Sequence, residues 1–354
     1  MPHRVDRLRE RLAAENLDAL LVSSRPNIRY LCGFSGSAAA FLVDREEAVL
    51  FTDSRYVMQA HEEVREAAVE RTAGPPLRGA LGAARRGART GFEADAVTVA
   101  EHEALVAAAA GRSLAPTAGL VEGLRAVKEP EELRMIEASV RLSADAFDVG
   151  LGAVGEGAEE VEVAAAIEHE MRRRGAAGPA FETIVASGPR GALPHARASR
   201  RRLRLGDAVV IDAGAHLDGY GSDMTRTVFV GEPDGRARDV YHAVLQALLR
   251  AEQTVREGVA AGEVADAARL AIVEAGFAEE AFQHGAGHGV GLEVHEAPRI
   301  ARERRELLAA GMVVAIEPGV YVPGWGGVRI EDVVVVEEAG CRVLTPTAKE
   351  ILSV

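Results

Sequence analysis

The chain has 354 residues, long for one hydrophobic core, so two domains are expected. Hydrophobic residues make up 48%, which excludes a disordered chain. Acidic residues exceed basic ones, 54 to 41, and the net charge of -13 excludes a nucleic-acid partner gripped by clustered Lys and Arg. The two cysteines, Cys32 and Cys341, are far apart and form no C-x-x-C pair. That excludes a disulfide framework or a zinc–thiolate site and fits a reducing, cytoplasmic location. The charged, amphipathic stretch from Met1 to Glu15 lacks the apolar core of a signal peptide. No run approaches 18 apolar residues, so no membrane span or membrane partner is expected.

In chain order, Val5, Leu8 and Leu12 mark an opening amphipathic helix. Asp18 to Ser23 reads as a strand. Phe41 to Val43 and Ala48 to Thr52 read as a hairpin joined by the charged turn Asp44 to Glu47. A mixed pattern follows through Glu93, with Gly74-Pro75-Pro76 read as a breaker. These elements predict a compact α/β domain. Within it, Asn27-Ile28-Arg29-Tyr30 and Asp53-Ser54-Arg55-Tyr56 each set an Arg-Tyr pair beside turn residues. The bland account of both is surface loops with snorkelling arginines.

Leu114 to Val121 carries Pro116 and Gly119 and is read as containing the linker, with the boundary near residue 122: domains 1–122 and 123–354. A helix begins at Pro130-Glu131-Glu132 and keeps helical spacing through Leu133, Ile136, Val140 and Leu142. Val161 to Arg174 is a second helix. Phe181 to Ser187 is β-prone and leads into the irregular Gly188 to His195. Asp239 to Glu257 and Val264 to Ala275 are amphipathic helices, and the last third alternates strands with glycines. Helices precede strand pairs in both halves of this region, the pattern of an internal duplication.

The chemistry centres on Ile211 to Gly231. A buried strand, Ala208 to Ile211, delivers Asp212, and Asp223 stands just before a β-prone run from Thr225 to Val230. Gly214, Gly219 and Gly221 allow close backbone approach between them. Taken alone, these are two surface aspartates flanking a hairpin. His288, Glu317 and Glu331 occupy equivalent places, at strand ends or in glycine-rich turns. Four carboxylates gathered without a cation would repel and raise each other's pKa. Two divalent metals sharing bridging carboxylates, about 3.5–4 Å apart, resolve that repulsion. An oxygen-rich set with one nitrogen favours Mn2+, with Co2+ or Zn2+ also accommodated. His195, His284 and His295 suit proton transfer or a grip on a carbonyl. Singly, each is more often a solvated loop histidine.

The blocks D-A-G-A-H-L-D-G-Y-G-S-D-M-T-R-T, G-H-G-V-G-L-E-V-H-E-A-P, I-E-P-G-V-Y and V-R-I-E-D together resemble the pita-bread metallopeptidases, in the branch of Xaa-Pro dipeptidase (prolidase) and Xaa-Pro aminopeptidase (aminopeptidase P). N-I-R-Y-L-C-G-F-S-G-S and T-D-S-R-Y resemble the creatinase-like domain that precedes the catalytic one. The resemblance implies an α/β (α+β) fold, with a creatinase-like α/β domain followed by a pita-bread domain of pseudo-two-fold internal symmetry. It implies that Asp212 and Asp223 hold one metal, His288 and Glu317 the other, and that Asp223 and Glu331 bridge. A hydroxide between the metals would be the nucleophile, and Glu317 would accept and donate the proton. His195 and His295 would contact the scissile carbonyl, and His284 would line the proline pocket. Tyr220 would touch substrate, and Arg329 would orient the carboxylates. The implied partners are proline-containing peptides and a second copy in a homodimer.

The expected function is Xaa-Pro dipeptide hydrolysis. The alternative is an Xaa-Pro aminopeptidase acting on longer peptides, since the catalytic residues are shared. An inactive binding module would have lost ligands, and none is lost. A methionine aminopeptidase would lack the N-terminal domain. A dipeptidase must read the substrate's free carboxylate, for which Arg29, Arg55 and Arg190 are the candidates. Arg190 stands where the family often carries Asn, a departure that bears on substrate preference and leaves the metal ligands untouched.

Overall fold

The computed structural model describes residues 4–354. The chain divides into two compact units, the first ending at Arg125 and the second spanning Ala126–Val354.

In the first unit the helices are α1 (Arg4–Ala14), α2 (Arg25–Cys32), α3 (Val57–Glu63), α4 (Pro76–Ala83), α5 (Val99–Ala108) and α6 (Glu122–Arg125). The strands are β1 (Ala19–Val22), β2 (Ala39–Asp44), β3 (Ala48–Thr52), β4 (Ala68–Arg71), β5 (Arg89–Glu93) and β6 (Ser113–Thr117). They form one mixed sheet in the order β4-β3-β2-β1-β5-β6. The expected hairpin is β2–β3, paired antiparallel. On α1 the apolar stripe of Val5, Leu8 and Leu12 is buried, as its spacing requires.

Two expectations fail here for physical reasons. Asn27 to Tyr30 is not a surface loop but part of α2. This helix is too short for a clear period, and no local side chain caps it. Instead the Glu93 carboxylate accepts from the Ser23 and Ser24 amides at 2.6 and 2.7 Å. Asn27 is fully buried, donates to Glu93 and Glu122, and accepts from Arg125 at 2.7 Å. Tyr30 is buried beneath the Arg4 guanidinium, 4.3 Å from its ring centre. Second, Pro76 does not break structure; it opens α4, where a missing N–H costs nothing. The stretch from Leu114 to Val121, expected to contain the linker, begins in β6, which pairs parallel to β5. β6 is an edge strand, so Pro116 deprives no neighbour of a hydrogen bond.

The second unit contains helices α7 (Pro130–Leu151), α8 (Glu160–Arg173), α9 (Gly235–Thr254) and α10 (Ala261–Glu274). Its strands begin with β7 (Gly178–Pro179), β8 (Ile184–Ser187), β9 (Ala208–Asp212), β10 (Ala215–Leu217), β11 (Tyr220–Gly221) and β12 (Thr225–Phe229). They continue with β13 (Gly287–Gly289), β14 (Glu296–Ile300), β15 (Val313–Ile316), β16 (Gly319–Val322), β17 (Gly326–Arg329), β18 (Asp332–Glu337), β19 (Gly340–Val343) and β20 (Leu352–Ser353). Two larger sheets carry the unit, β20-β12-β9-β8 and β14-β13-β15-β18-β19. Ile167 and Met171 of α8 bury against Val209 and Ile211 of the first sheet. Val244, Leu248, Ala268 and Ile272 of α9 and α10 bury against Val314, Ile316 and Val334 of the second. The order of helix pair then sheet therefore occurs twice. Each fully buried large aliphatic side chain contributes roughly 1.5–3 kcal/mol.

One buried ion pair supports the turn that bears His295. Lys128 Nζ lies 2.9 Å from Glu296 Oε1, with side chains only 1% and 5% exposed. Lys128→Met is expected to strand a buried carboxylate and destabilise the unit by roughly 3–5 kcal/mol. Urea unfolding measures this, and a loss below about 1 kcal/mol would mean that Glu296 finds another partner.

Candidate metal centre

The site forms where ends of the two large sheets meet. Asp212 closes β9 and lies across from Thr225, the first residue of β12. Asp223 precedes Thr225 by two residues, which brings it to the same face. His288 is the middle residue of β13, Glu317 follows β15, and Glu331 precedes β18. The Glu331 amide donates to the Thr225 carbonyl at 3.0 Å, joining the sheets directly. Of the three glycines expected to allow close approach, Gly214 requires it, since an added Cβ there would overlap the Ser222 carbonyl, whereas at Gly221 the nearest atom is 3.6 Å away. The result is a cavity of about 360 Å³, lined by Asp212, Asp223, His288, Glu317 and Glu331 together with His195, His284, His295 and Arg329.

Donor atoms of Asp212, Asp223 and Glu331 lie within 4.8 Å of one another, as do those of Asp223, His288 and His295. His288 Nε2 is 3.5 Å from Asp223 and 3.8 Å from Glu317. Its Nδ1 faces the Gly289 carbonyl at 3.1 Å, which assigns the proton to Nδ1 and leaves the Nε2 lone pair toward the carboxylates. The His295 ring stands edge-on to His288, 4.2 Å between centres. His284 is fixed at both nitrogens, Nδ1 to the Gly285 carbonyl at 2.6 Å and Nε2 to the Tyr321 hydroxyl at 3.0 Å. Arg329 donates to Asp212 at 2.5 Å, to the Pro194 carbonyl at 3.0 Å and to the Tyr321 hydroxyl at 3.1 Å. Thr225 Oγ1 donates to Glu331 at 2.7 Å.

Burial dominates the electrostatics. It pushes the Asp223 and Glu331 carboxyls well above the usual range, and neighbouring carboxylates push further. Burial also raises Glu317 to about 7. It lowers His284 and His288 to about 4, so both rings are neutral near pH 7. Among the described residues, Asp212 Oδ1 and Glu331 Oε1 are buried without a hydrogen-bond partner. Orphaned acceptors of this kind are costly and rare. Neutral imidazole nitrogen, crowded carboxylates and two unanswered oxygens are what divalent cations would satisfy, so the residues fit a metal centre.

The five expected ligands therefore share one cavity, and His195, His284, His295 and Arg329 line it with them. Tyr220 does not line it; its hydroxyl donates to Glu132 at 3.0 Å in the scaffold. Arg29 and Arg55 belong to the first unit, where Arg55 pairs with Asp53 at 2.6 Å. Arg190 does not line the cavity either; it pairs with Glu160 at 3.0 Å. Sequence reasoning passed over three residues. Thr225 could have been found two positions after Asp223, on the same strand face. Tyr321 lies inside the quoted I-E-P-G-V-Y block. Arg299 stands directly opposite His288 on the neighbouring strand, and its charge acts on His288 and His295. That pairing has no signature along the chain.

Comparison with known proteins identifies a family. Residues 134–338 match metallopeptidase family M24, and residues 4–127 match the creatinase/prolidase N-terminal domain. A Pyrococcus horikoshii protein named Xaa-Pro dipeptidase is 36% identical over 354 residues, covering 99% of both chains. The structure is similar to an Xaa-Pro dipeptidase from Bacillus anthracis, with a TM-score of 0.95, 36% identity and 99% of each chain covered. It is also similar to an X-Pro aminopeptidase from Thermotoga maritima, with a TM-score of 0.90, 35% identity and 99% and 100% covered. With its catalytic half matched and its whole length shared with such relatives, the chain belongs to metallopeptidase family M24.

Proposed function

We propose that the chain is an Xaa-Pro dipeptidase working with two divalent cations, Mn2+ being the ion that best suits its oxygen-rich donor set. The observation that carries this reading is the convergence of four carboxylates and a neutral imidazole around two unpartnered buried oxygens. Asp212 and Asp223 would hold one cation, His288 and Glu317 the other, with Asp223 and Glu331 shared. Such a pair, when bound, lowers the pKa of a shared water and polarises the scissile carbonyl.

The chain's own residues supply the rest. Glu317 takes the proton from the attacking water and delivers it to the departing nitrogen. That delivery is essential, because the proline nitrogen has no hydrogen of its own and leaves as a secondary amine. His195 and His295 hold the carbonyl oxygen as it gains charge. His284, fixed by Gly285 and Tyr321, forms a wall for the proline ring. Arg329 holds Asp212 in place. Arg299, directly opposite His288 across the β13–β14 pair and outside the cavity lining, is the cation we assign to the substrate's free carboxylate. Relatives named Xaa-Pro dipeptidase support this substrate class.

A specific observation supports the aminopeptidase alternative. A second cavity of about 440 Å³ shares His195 and His284 with the first and extends past Gln283 and Glu279. It offers room for a longer peptide.

The test is hydrolysis of an Xaa-Pro dipeptide and of the same peptide extended by two residues, with manganese restored after stripping. Cleavage of the dipeptide alone supports the dipeptidase, and Arg299→Ala is then expected to raise KM about 10–100-fold. Cleavage of the longer peptide with KM unchanged in Arg299→Ala establishes the aminopeptidase. Cleavage of neither overturns both readings.

A further inference from the structure

A buried carboxylate outside the cavity controls the loop that carries His195. Glu160 is the first residue of α8 and is fully buried. Its Oε1 accepts from the Ser187 amide at 2.8 Å and the Ser187 hydroxyl at 2.7 Å. Its Oε2 accepts from the Ser199 amide at 3.0 Å and the Ser199 hydroxyl at 2.6 Å. One side chain thereby ties together both ends of the segment 187–199. Arg190, inside that segment, donates Nε to the same carboxylate at 3.0 Å and Nη2 to the Arg197 carbonyl. Arg201 adds a bond to the Ser187 hydroxyl at 2.5 Å and is held by Asp207.

The free part of the loop is then short. Gly191 lies so close to the Gly327 backbone that neither position has room for a Cβ. The Pro194 carbonyl accepts from Arg329 at 3.0 Å. His195 sits between this anchor and the Arg197 carbonyl that Arg190 holds. The His195 side chain is exposed in the cavity wall and has no hydrogen bond of its own among the described residues. Its position is therefore that of the backbone beneath it. A carboxylate accepting several charge-assisted bonds is a stiff anchor, and misplacing a reacting group by about 1 Å costs on the order of 100-fold in rate.

We infer that Glu160, with Arg190 as its cation, is a positioning residue for His195: it closes the 187–199 loop so that the imidazole meets the developing oxyanion. Arg190 is a loop anchor and not a reader of the substrate carboxylate. The inference rests on the role proposed above for His195.

The experiment compares Glu160→Gln and Arg190→Ala, each alone and in a His195→Ala background, by kinetics, metal content and hydrogen exchange of residues 188–199. Glutamine keeps the volume but presents an amide to groups that themselves donate. Glu160→Gln is expected to lower kcat about 10–100-fold with KM changed less than about threefold. Metal content stays at the wild-type level, exchange rises in 188–199, and no further loss appears when His195 is already Ala. Arg190→Ala moves the same readouts in the same direction by less. Unchanged kcat, or equal losses with and without His195, overturns the inference. Should Glu160→Gln fail to fold, Arg190→Ala decides on the same comparison. Full activity in His195→Ala would instead refute the role of His195, while exchange in 188–199 would still report whether Glu160 closes the loop.

Discussion

Replacing Asp223 or Glu331 with Ala is expected to reduce turnover to background and to empty at least one metal position. Both side chains are buried, with donor atoms within 4.8 Å of each other and of Asp212. The loss should exceed the about 10–100-fold typical of changes one shell further out. The metal-free variants should not melt earlier than the metal-free parent. Each substitution removes a carboxylate that burial and like charge already disfavour, so it relieves repulsion within the fold. Metal analysis of the purified variants and thermal unfolding after chelation measure both effects. Full activity in either variant would remove the shared-ligand arrangement.

The second large effect is an inverted pH dependence of stability in the metal-stripped protein. Glu317 titrates at about 7 in the folded chain, against a reference value of 4.5. Between those values the folded chain keeps a proton that the unfolded chain has lost, so stability falls as pH rises. Each pH unit of separation is worth about 1.4 kcal/mol, shared among the carboxyls that titrate together. Asp223 and Glu331 are raised too and act in the same direction. His284 and His288, lowered to about 4, act in the opposite direction below 6.5, so the loss of stability is expected where these rings are neutral in both states, from about pH 6.5 to 8. Restoring the metal should reverse the trend, because bound cations favour the ionised carboxylates. Melting temperatures across this range, with and without metal, provide the check. A metal-free protein that gains stability from about pH 6.5 to 8 would show that the carboxylates do not crowd one another in solution.

These two results concern the part of the molecule most legible from the chain alone. Asp212, Asp223, Glu317 and Glu331 each border a short apolar strand, and His288 lies in a glycine-rich run. Strand termini can be read locally, and a carboxylate at such a place is conspicuous. The long helices were legible for the same reason: α7, α9 and α10 repeat their apolar positions over several turns. The short α2 was not. Its first turn is held by Glu93, far away in sequence, and Asn27 looks polar and exposed until Glu93, Glu122 and Arg125 surround it.

The arginines show the same division. Arg55, read as a substrate contact, pairs with its neighbour Asp53, while Arg190 closes on Glu160, thirty residues earlier. Arg299 attracted no notice, because only the β13–β14 register sets it opposite His288. Tyr220, expected to touch substrate, turns its hydroxyl to Glu132 outside the cavity lining.

What the sequence determined by itself was the chemical inventory: which side chains can bind cations, how the apolar periods group into helices and strands, and hence the fold class. Those properties reside in single residues and short repeats. What only the tertiary structure decided was partnership. Which oxygen stays unanswered, which nitrogen of His288 is free and which cation faces which carboxylate depend on strand register and on contacts across a hundred residues. Such contacts leave no periodic trace along the chain, because their energy comes from groups that meet only after folding.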